Sequence, residues 1–239
     1  FRVFKLSSPM SVGSWILGAF SGGAMVAAAA EADALTGERA PLPGPTRKLL
    51  HALATPAGVA SGLMGAPLAV YTAVLFGNTS VPMWQDAHKE LPNLFVSSAA
   101  CASAGAALVT TSTANNGPAR ALAGVGAVAD VVASSVLTRR LTEPLEETVE
   151  HGKAGKFLKA AEALVIAGGL GAVFGGKRRA VAAASGVALA AASCLTRFGI
   201  IAAGKRSTED PKYVVEPQRA RLRARQEAGQ VGDSITTAS

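Results

Sequence analysis

The stretch AVAAASGVALAAASCLTRFGIIAA, residues 180–203, runs for 24 residues with a single charge, Arg197. A helix that crosses a bilayer needs about 20 mostly apolar residues. This segment supplies them, and it has no polar face for water to wet. Five comparable segments precede it, at 9–30, 55–77, 91–112, 118–137 and 156–175. Pro9, Pro56, Pro92 and Pro118 each sit at or just inside a predicted helix start, where a missing N–H costs nothing. Pro67 falls inside the second segment and should kink it or loosen its hydrogen-bond ladder. The reading is an all-α fold: a polytopic transmembrane helix bundle of about six spanning helices over residues 1–204. A charged C-terminal extension follows at 205–239, ending in a tail at 226–239 that reads as disordered.

Composition agrees. Of 239 residues, 49% are hydrophobic and only 16% charged, against roughly 25% charged in ordinary soluble domains. Alanine fills 50 positions and glycine 26, while aromatics make up 5%. Low polarity excludes a disordered chain. Two cysteines exclude a disulfide scaffold, a four-thiolate metal site or an iron–sulfur cluster held by this chain alone. Small residues suit close packing, because lipid gives apolar helices no hydrophobic reason to associate. Gly22, Gly23, Gly58, Gly62, Gly168, Gly169 and Gly171 are the expected contact points. The connector 31–54 reads as a structured loop around Pro41, Pro43 and Pro45. Segment 78–90 reads as a polar turn, and 138–155, rich in glutamate, as a possible surface helix.

Six spans put segments 1–8, 78–90, 138–155 and 204–239 on one side of the membrane, here called side one. Segments 31–54, 113–117 and 176–179 lie on side two. Fifteen Lys and Arg residues fall nearest side one and seven nearest side two. The excess of cations in cytoplasmic loops places side one, with the C-terminus, in the cytoplasm of a multi-pass cell-membrane protein. The net charge of +7 is explained by basic loops against anionic headgroups. No basic patch interleaved with aromatics calls for nucleic acid.

Ionisable residues inside a span cost about 2.5–3.5 kcal/mol each on insertion scales, so each asks for a function. Three occur: Asp130, Glu162 and Arg197. At about 1.5 Å per residue, all three lie about 9–10 Å inside side one. Tyr71, Trp15, Ser97 and Ser98 fall at the same depth. A shared polar layer predicts a pocket. The plainer readings are interfacial belt residues for Trp15 and Tyr71, a snorkelling Glu162, and a structural ion pair between Asp130 and Arg197. Cys101 and Cys194 read as small packing residues. His51, His88 and His151 all lie in or beside connectors, which argues against an intramembrane haem. No phosphate loop or metal-spaced cluster occurs.

Several runs resemble the polysulfide reductase NrfD family: FRVFKLSSPMSVGSWIL at 1–17, YTAVLFGNTSVPMW at 71–84, LPNLFVSSAACASAG at 91–105 and LTRFGIIAAGKRSTEDPKYVVEPQR at 195–219. The DPKY-x-x-x-PQR ending is similar to the actinobacterial branch. The family consists of integral membrane, quinone-reactive subunits of molybdopterin-type oxidoreductases. Relatives commonly have eight spans, so two helices are expected before Phe1, one of which contributes to the family's quinone pocket. The resemblance implies a subunit with no haem or metal of its own and with quinone or menaquinone as its substrate. Its implied partners are a four-cluster ferredoxin-like iron–sulfur subunit, a molybdopterin oxidoreductase catalytic subunit and membrane lipid. By position, Tyr71 matches the family's tyrosine near the quinone headgroup, Asp130 its acidic position, and Arg197 its arginine. Ser11 and Trp15 of the SPMSxGSW run complete the candidate quinone-binding and proton-relay set of Tyr71, Asp130, Glu162, Arg197, Trp15 and Ser11. Segments 1–10 and 78–90, which flank the layer on side one, are the expected docking face.

Two other functions compete. A transporter or proton channel should show broken helices in paired inverted halves, and no such symmetry is legible. A purely structural assembly subunit would keep the bundle without binding quinone.

Overall fold

The computed structural model describes residues 5, 8–37 and 41–229. Six long apolar helices cross the molecule: α1 (Pro9–Leu35), α2 (Gly44–Gly77), α4 (Leu91–Thr110), α5 (Gly117–Arg140), α7 (Gly152–Leu170) and α8 (Arg179–Glu209). Each is long and apolar enough to span a membrane. Two short helices, α3 (Pro82–Asp86) and α6 (Glu146–Glu150), lie in the side-one connectors, and α9 (Lys212–Glu227) follows the last span. No strand occurs among the described residues. The protein is thus an all-α, multi-pass membrane bundle.

Helices α4, α5, α7 and α8 close into a ring of four, each packed on two of the others. The α1–α2 hairpin joins this ring from outside, through α2 against α4. Small residues set the spacing, though not all those expected. A side chain at Gly105 would meet the Gly186 carbonyl oxygen at 2.5 Å, and one at Gly186 would meet the Gly105 oxygen at 2.5 Å. There α4 and α8 touch backbone to backbone. Gly23, Gly168, Gly169 and Gly171 are similarly closed by neighbouring helices, and Gly58 lies at ordinary distance from Ala27. Gly22 and Gly62 face open space and are no contact points. Periodicity cannot tell which side of an apolar helix meets protein and which meets lipid.

The second span corrects the sequence reading most. It begins at Gly44 rather than residue 55, so residues 44–54 are helix and Pro56 lies inside it with Pro67. Pro45 occupies the first turn instead, and Arg47 and His51, four residues apart, share one face. Both reach Asp33 near the end of α1. Arg47 Nε lies 2.9 Å and His51 Nε2 3.0 Å from Asp33 Oδ2. This buried carboxylate holds the turn of helix that a loop reading left out. Gly37, at φ 67°, then terminates α1 in the left-handed conformation that glycine adopts without penalty.

At the far end of α7 the backbone widens into a π-helical turn, Gly171–Gly175. Arg120 of α5 meets the carbonyls there, with Nε donating to Ala172 O at 2.9 Å and Nη2 to Val173 O. Asn116, also buried, donates to Gly176 O at 2.8 Å. Arg179 closes α4 in the same manner, donating to Leu108 O, Thr111 O and Val109 O. Carbonyls at helix ends have no intrahelical donor, and these guanidinium groups supply it.

Side one is built rather than loose. Trp84 Nε1 donates to Ile200 O at 2.9 Å, its ring lying against Gly204. Asp86 accepts from Thr142 N at 2.9 Å and Thr142 Oγ1 at 3.1 Å. The extension continues α8 to Glu209 and then forms α9. The disordered end expected at 226–239 lies, from residue 230, outside the described residues; residues 226 and 227 are helical.

Lys212 ties α9 to α6, with Nζ 2.8 Å from Glu147 Oε2. The hydrogen bond and charge of Lys212 hold the Glu147 carboxyl below its ordinary value, and Glu147 in turn raises Lys212. A lowered acid contributes above its unfolded value and loses its contribution as pH falls through the folded one. A raised amine contributes below its unfolded value and loses it as pH rises through the folded one. Protection of the 212–227 amides, taken relative to the intrinsic exchange rate at each pH, should therefore be greatest through neutral pH. It should fall modestly below the usual carboxylate range and again above the usual lysine range, and a flat protection profile would show that this contact does not hold α9.

Candidate functional site

Two apolar clusters fill the bundle, and a polar layer separates them. The cluster toward side one uses large side chains, including Met83, Leu91, Leu94, Phe95, Leu137 and Ile200. The cluster toward side two is made mainly of alanine, with Cys101, Leu108, Val165 and Leu189. Between Phe95 and Cys101 on α4 lie Ser97 and Ser98. Between Ala127 and Ala133 on α5 lies Asp130. Between Ala192 and Ile200 on α8 lie Ser193, Thr196 and Arg197.

Cross-helix contacts hold these groups at one level. Ser97 Oγ donates to Asp130 Oδ1 at 3.3 Å, and Ser98 Oγ to Ser193 Oγ at 2.9 Å. Arg197 Nη2 donates to Phe95 O at 3.1 Å. Its guanidinium carbon lies 3.9 Å from the centre of the Phe95 ring, a cation–π arrangement that partly replaces water around a desolvated cation. Asp130 is 3% exposed. It forms no ion pair with Arg197 within 4 Å, so the structural salt bridge expected as the plainer reading is not made. Among the described residues, Arg197 Nη1 is the one buried side-chain nitrogen or oxygen with no hydrogen-bond partner. A buried donor left unpaired costs about 1–3 kcal/mol, more when charged. A water or a ligand oxygen would remove that cost.

The other candidates sit elsewhere. The Tyr71 ring lies against the backbone of Gly13, where no side chain could be added. It faces α1, away from the Asp130 layer, and its hydroxyl makes no hydrogen bond among the described residues. Trp15 is 58% exposed on the outer surface of α1. Ser11 Oγ accepts from Lys5 N at 3.0 Å and belongs to the start of α1. Glu162 is exposed on α7, in a groove toward α5 and α6. Equal depth along separate helices therefore gives three groups and not one chamber: Asp130 with its serines and Arg197, then Tyr71 with Gly13, then Glu162. The angle of each residue around its helix axis decides this, and residue counting supplies depth alone.

Two grooves flank the layer. One of about 530 Å³ opens between α2, α4 and α5. Its walls are apolar, including Val70, Val96, Leu122, Val125, Val132 and Val136, with Glu90 and Asn93 toward side one. Ser97, the partner of Asp130, is also part of its lining. The other, about 380 Å³, is half polar and half apolar, with Leu94, Leu137, Leu158 and Ile200 in its wall. It brings Ser134, Thr138, Glu146, Glu150, Lys159 and Glu162 together between α5, α6 and α7.

The expected docking face fares unevenly. Residues 1–4, 6 and 7 lie outside the described residues. Within 78–90, Met83 is buried and Trp84 turned onto α8, leaving Gln85, His88 and Lys89 exposed. A cavity of about 420 Å³ lies between this segment and Tyr213, Pro217 and Gln218 of α9. Cys101 is buried, closing on Gly126, while Cys194 is exposed on α8. No cluster of metal-ligating side chains occurs among the described residues. The Asp33–Arg47–His51 cluster escaped the sequence reading. Its signal was the four-residue spacing of Arg47 and His51 opposite an acid near the end of a span.

The fold and this layer define a polytopic helical membrane protein with a buried acidic site. Comparison of the chain with protein-family models, with curated proteins and with solved structures returns no match.

Proposed function

We propose that the protein is the quinone-interacting membrane anchor of a multi-subunit oxidoreductase, exchanging electrons between the quinone pool and an iron–sulfur partner. One observation carries the reading: an apolar groove open to lipid has the Ser97 hydroxyl in its lining, and that hydroxyl donates to the buried Asp130 carboxylate. A quinone needs both parts. Its isoprenoid tail takes up apolar surface, and its carbonyls need a hydrogen-bond donor and a proton route when reduced. At the headgroup the single Ser97 hydroxyl proton, which in the quinone-free chain is shared between Leu94 O and Asp130 Oδ1, turns to a quinone carbonyl. The Asp130 carboxyl, once protonated, supplies the proton on reduction. Arg197 offsets the acid's charge from within the same layer. The groove past Glu162, Lys159 and Glu150 offers a path for protons from side one.

The iron–sulfur subunit docks on side one, where α3, α6 and α9 present a polar surface and where fifteen of the chain's 23 Lys and Arg residues fall nearest. The molybdopterin catalytic subunit lies beyond it, in the cytoplasm if the cation excess sets the orientation. On side two Arg47 is paired with Asp33, while Arg120 and Arg179 keep their charge with their guanidinium groups held on helix carbonyls.

The test is direct. Purified full-length chain in detergent should bind a menaquinone analogue saturably, and a photoreactive analogue should label α2, α4 or α5. Val96→Trp, which fills the groove from an exposed wall position, should abolish labelling. Absence of saturable binding in the unaltered chain would remove quinone and leave a purely structural subunit. Ion flux through proteoliposomes without any redox partner would instead favour a transporter.

A further inference from the structure

A third groove, about 460 Å³, runs between α5 and the end of α7 with its π-helical turn. Val128, Val131, Val132, Ile166, Leu170 and Phe174 wall it, and no lining residue carries a polar side chain. It forms because Gly169 packs onto Ala127, where an added side chain would approach to 2.6 Å. The helices thus meet closely while larger residues stand up on either side. From Gly124 to Val132 it covers about 12 Å of α5 across mid-membrane, its inner end level with Asp130, while Val173 and Phe174 carry its other end toward side two.

Charge gathers where the groove ends. Lys177 and Arg178 follow Phe174 by three and four residues, both exposed. Neither side chain makes a hydrogen bond or ion pair among the described residues. Arg120 and Arg179 at the same end are already engaged with carbonyls. No Asp or Glu occurs in 91–129 or in 163–208. The side-two end of the four-helix ring therefore carries cations with no carboxylate among them.

We propose that this groove holds one anionic phospholipid of the side-two leaflet, an acyl chain along α5 and α7 and the phosphate between Lys177 and Arg178. The match is one of two chemistries in the right order, apolar at depth and cationic at the headgroup level. A quinone headgroup finds no hydrogen-bonding side chain in this groove, and a second copy of the chain would bring like charges together.

The full chain, purified in mild detergent, would be delipidated stepwise and its remaining phospholipid identified by mass spectrometry. About one anionic phospholipid per chain should persist, with zwitterionic lipid unable to replace it. Lys177→Gln with Arg178→Gln should weaken retention about 30-fold, from about 1 kcal/mol per cation near a membrane surface. Val128→Trp, at a position 67% exposed, should displace the lipid while leaving both cations in place. Retention unchanged in both variants would overturn the proposal. So would recovery of quinone from this groove, or a lipid-free dimer formed through it.

Discussion

Asp130→Asn is expected to lower quinol-linked electron transfer by about a hundredfold or more while the chain still folds and binds its partner. The size follows from the proposed task. A positioned acid or base contributes typically 10²–10⁴-fold to a proton-transfer step, and asparagine fills nearly the same space without exchanging a proton. Its amide can still accept from Ser97, so the 3.3 Å contact and the packing around it survive. Ser97→Ala should act more weakly, since it removes a donor and leaves the carboxylate. The checks are quinol-dependent reduction of the partner complex across pH, together with co-purification of the iron–sulfur subunit. A flattened pH profile with intact assembly is the expected signature. Turnover equal to wild type would exclude Asp130 from the mechanism, and loss of assembly with normal quinone binding would give it a structural role.

The largest effect on stability should come from Gly105→Val. Its new side chain would strike the Gly186 carbonyl oxygen, 2.5 Å from where Cβ must lie, and backbone cannot rotate aside as a side chain can. Overpacking of a tight core costs typically 1–3 kcal/mol, occasionally more, and a backbone clash belongs at the upper end. Against a native margin of about 5–15 kcal/mol, that is a large share. The α4–α8 seam should part, taking with it the Ser98–Ser193 and Arg197–Phe95 contacts that build the polar layer. Gly22→Val serves as the control, because nothing lies within 4 Å of an added Cβ there. Thermal unfolding followed by size-exclusion chromatography in detergent should show a lower midpoint for the first variant and little change for the second. Equal midpoints would mean that the two helices do not meet at this glycine.

The two predictions probe different links of one chain. Small residues let α4 and α8 approach, approach closes the ring, and the ring takes Asp130 and Ser98 inside while Ser97 is left at the edge of the groove. Glu162 shows the contrast. It lies in the same ring of helices and is about as costly to insert, yet it stays exposed in the groove between α5, α6 and α7 and makes no hydrogen bond or ion pair among the described residues.

The residue order by itself determined that the chain is a six-span helical bundle, where most spans begin, and that Asp130, Glu162 and Arg197 would be its expensive residues. Those conclusions need only hydropathy, proline's missing N–H and a fixed rise per residue, all properties of single segments. Sequence could not decide that Pro56 sits inside a helix, because that depends on Arg47 and His51 finding Asp33 on another one. Nor could it decide that Tyr71 faces Gly13, that Gly22 and Gly62 touch nothing, or that Asp130 meets Ser97 while Glu162 does not. Alanine-rich helices look much alike on every face. Which face turns inward is settled only when neighbours choose the sides on which their backbones can come closest, and that choice is collective.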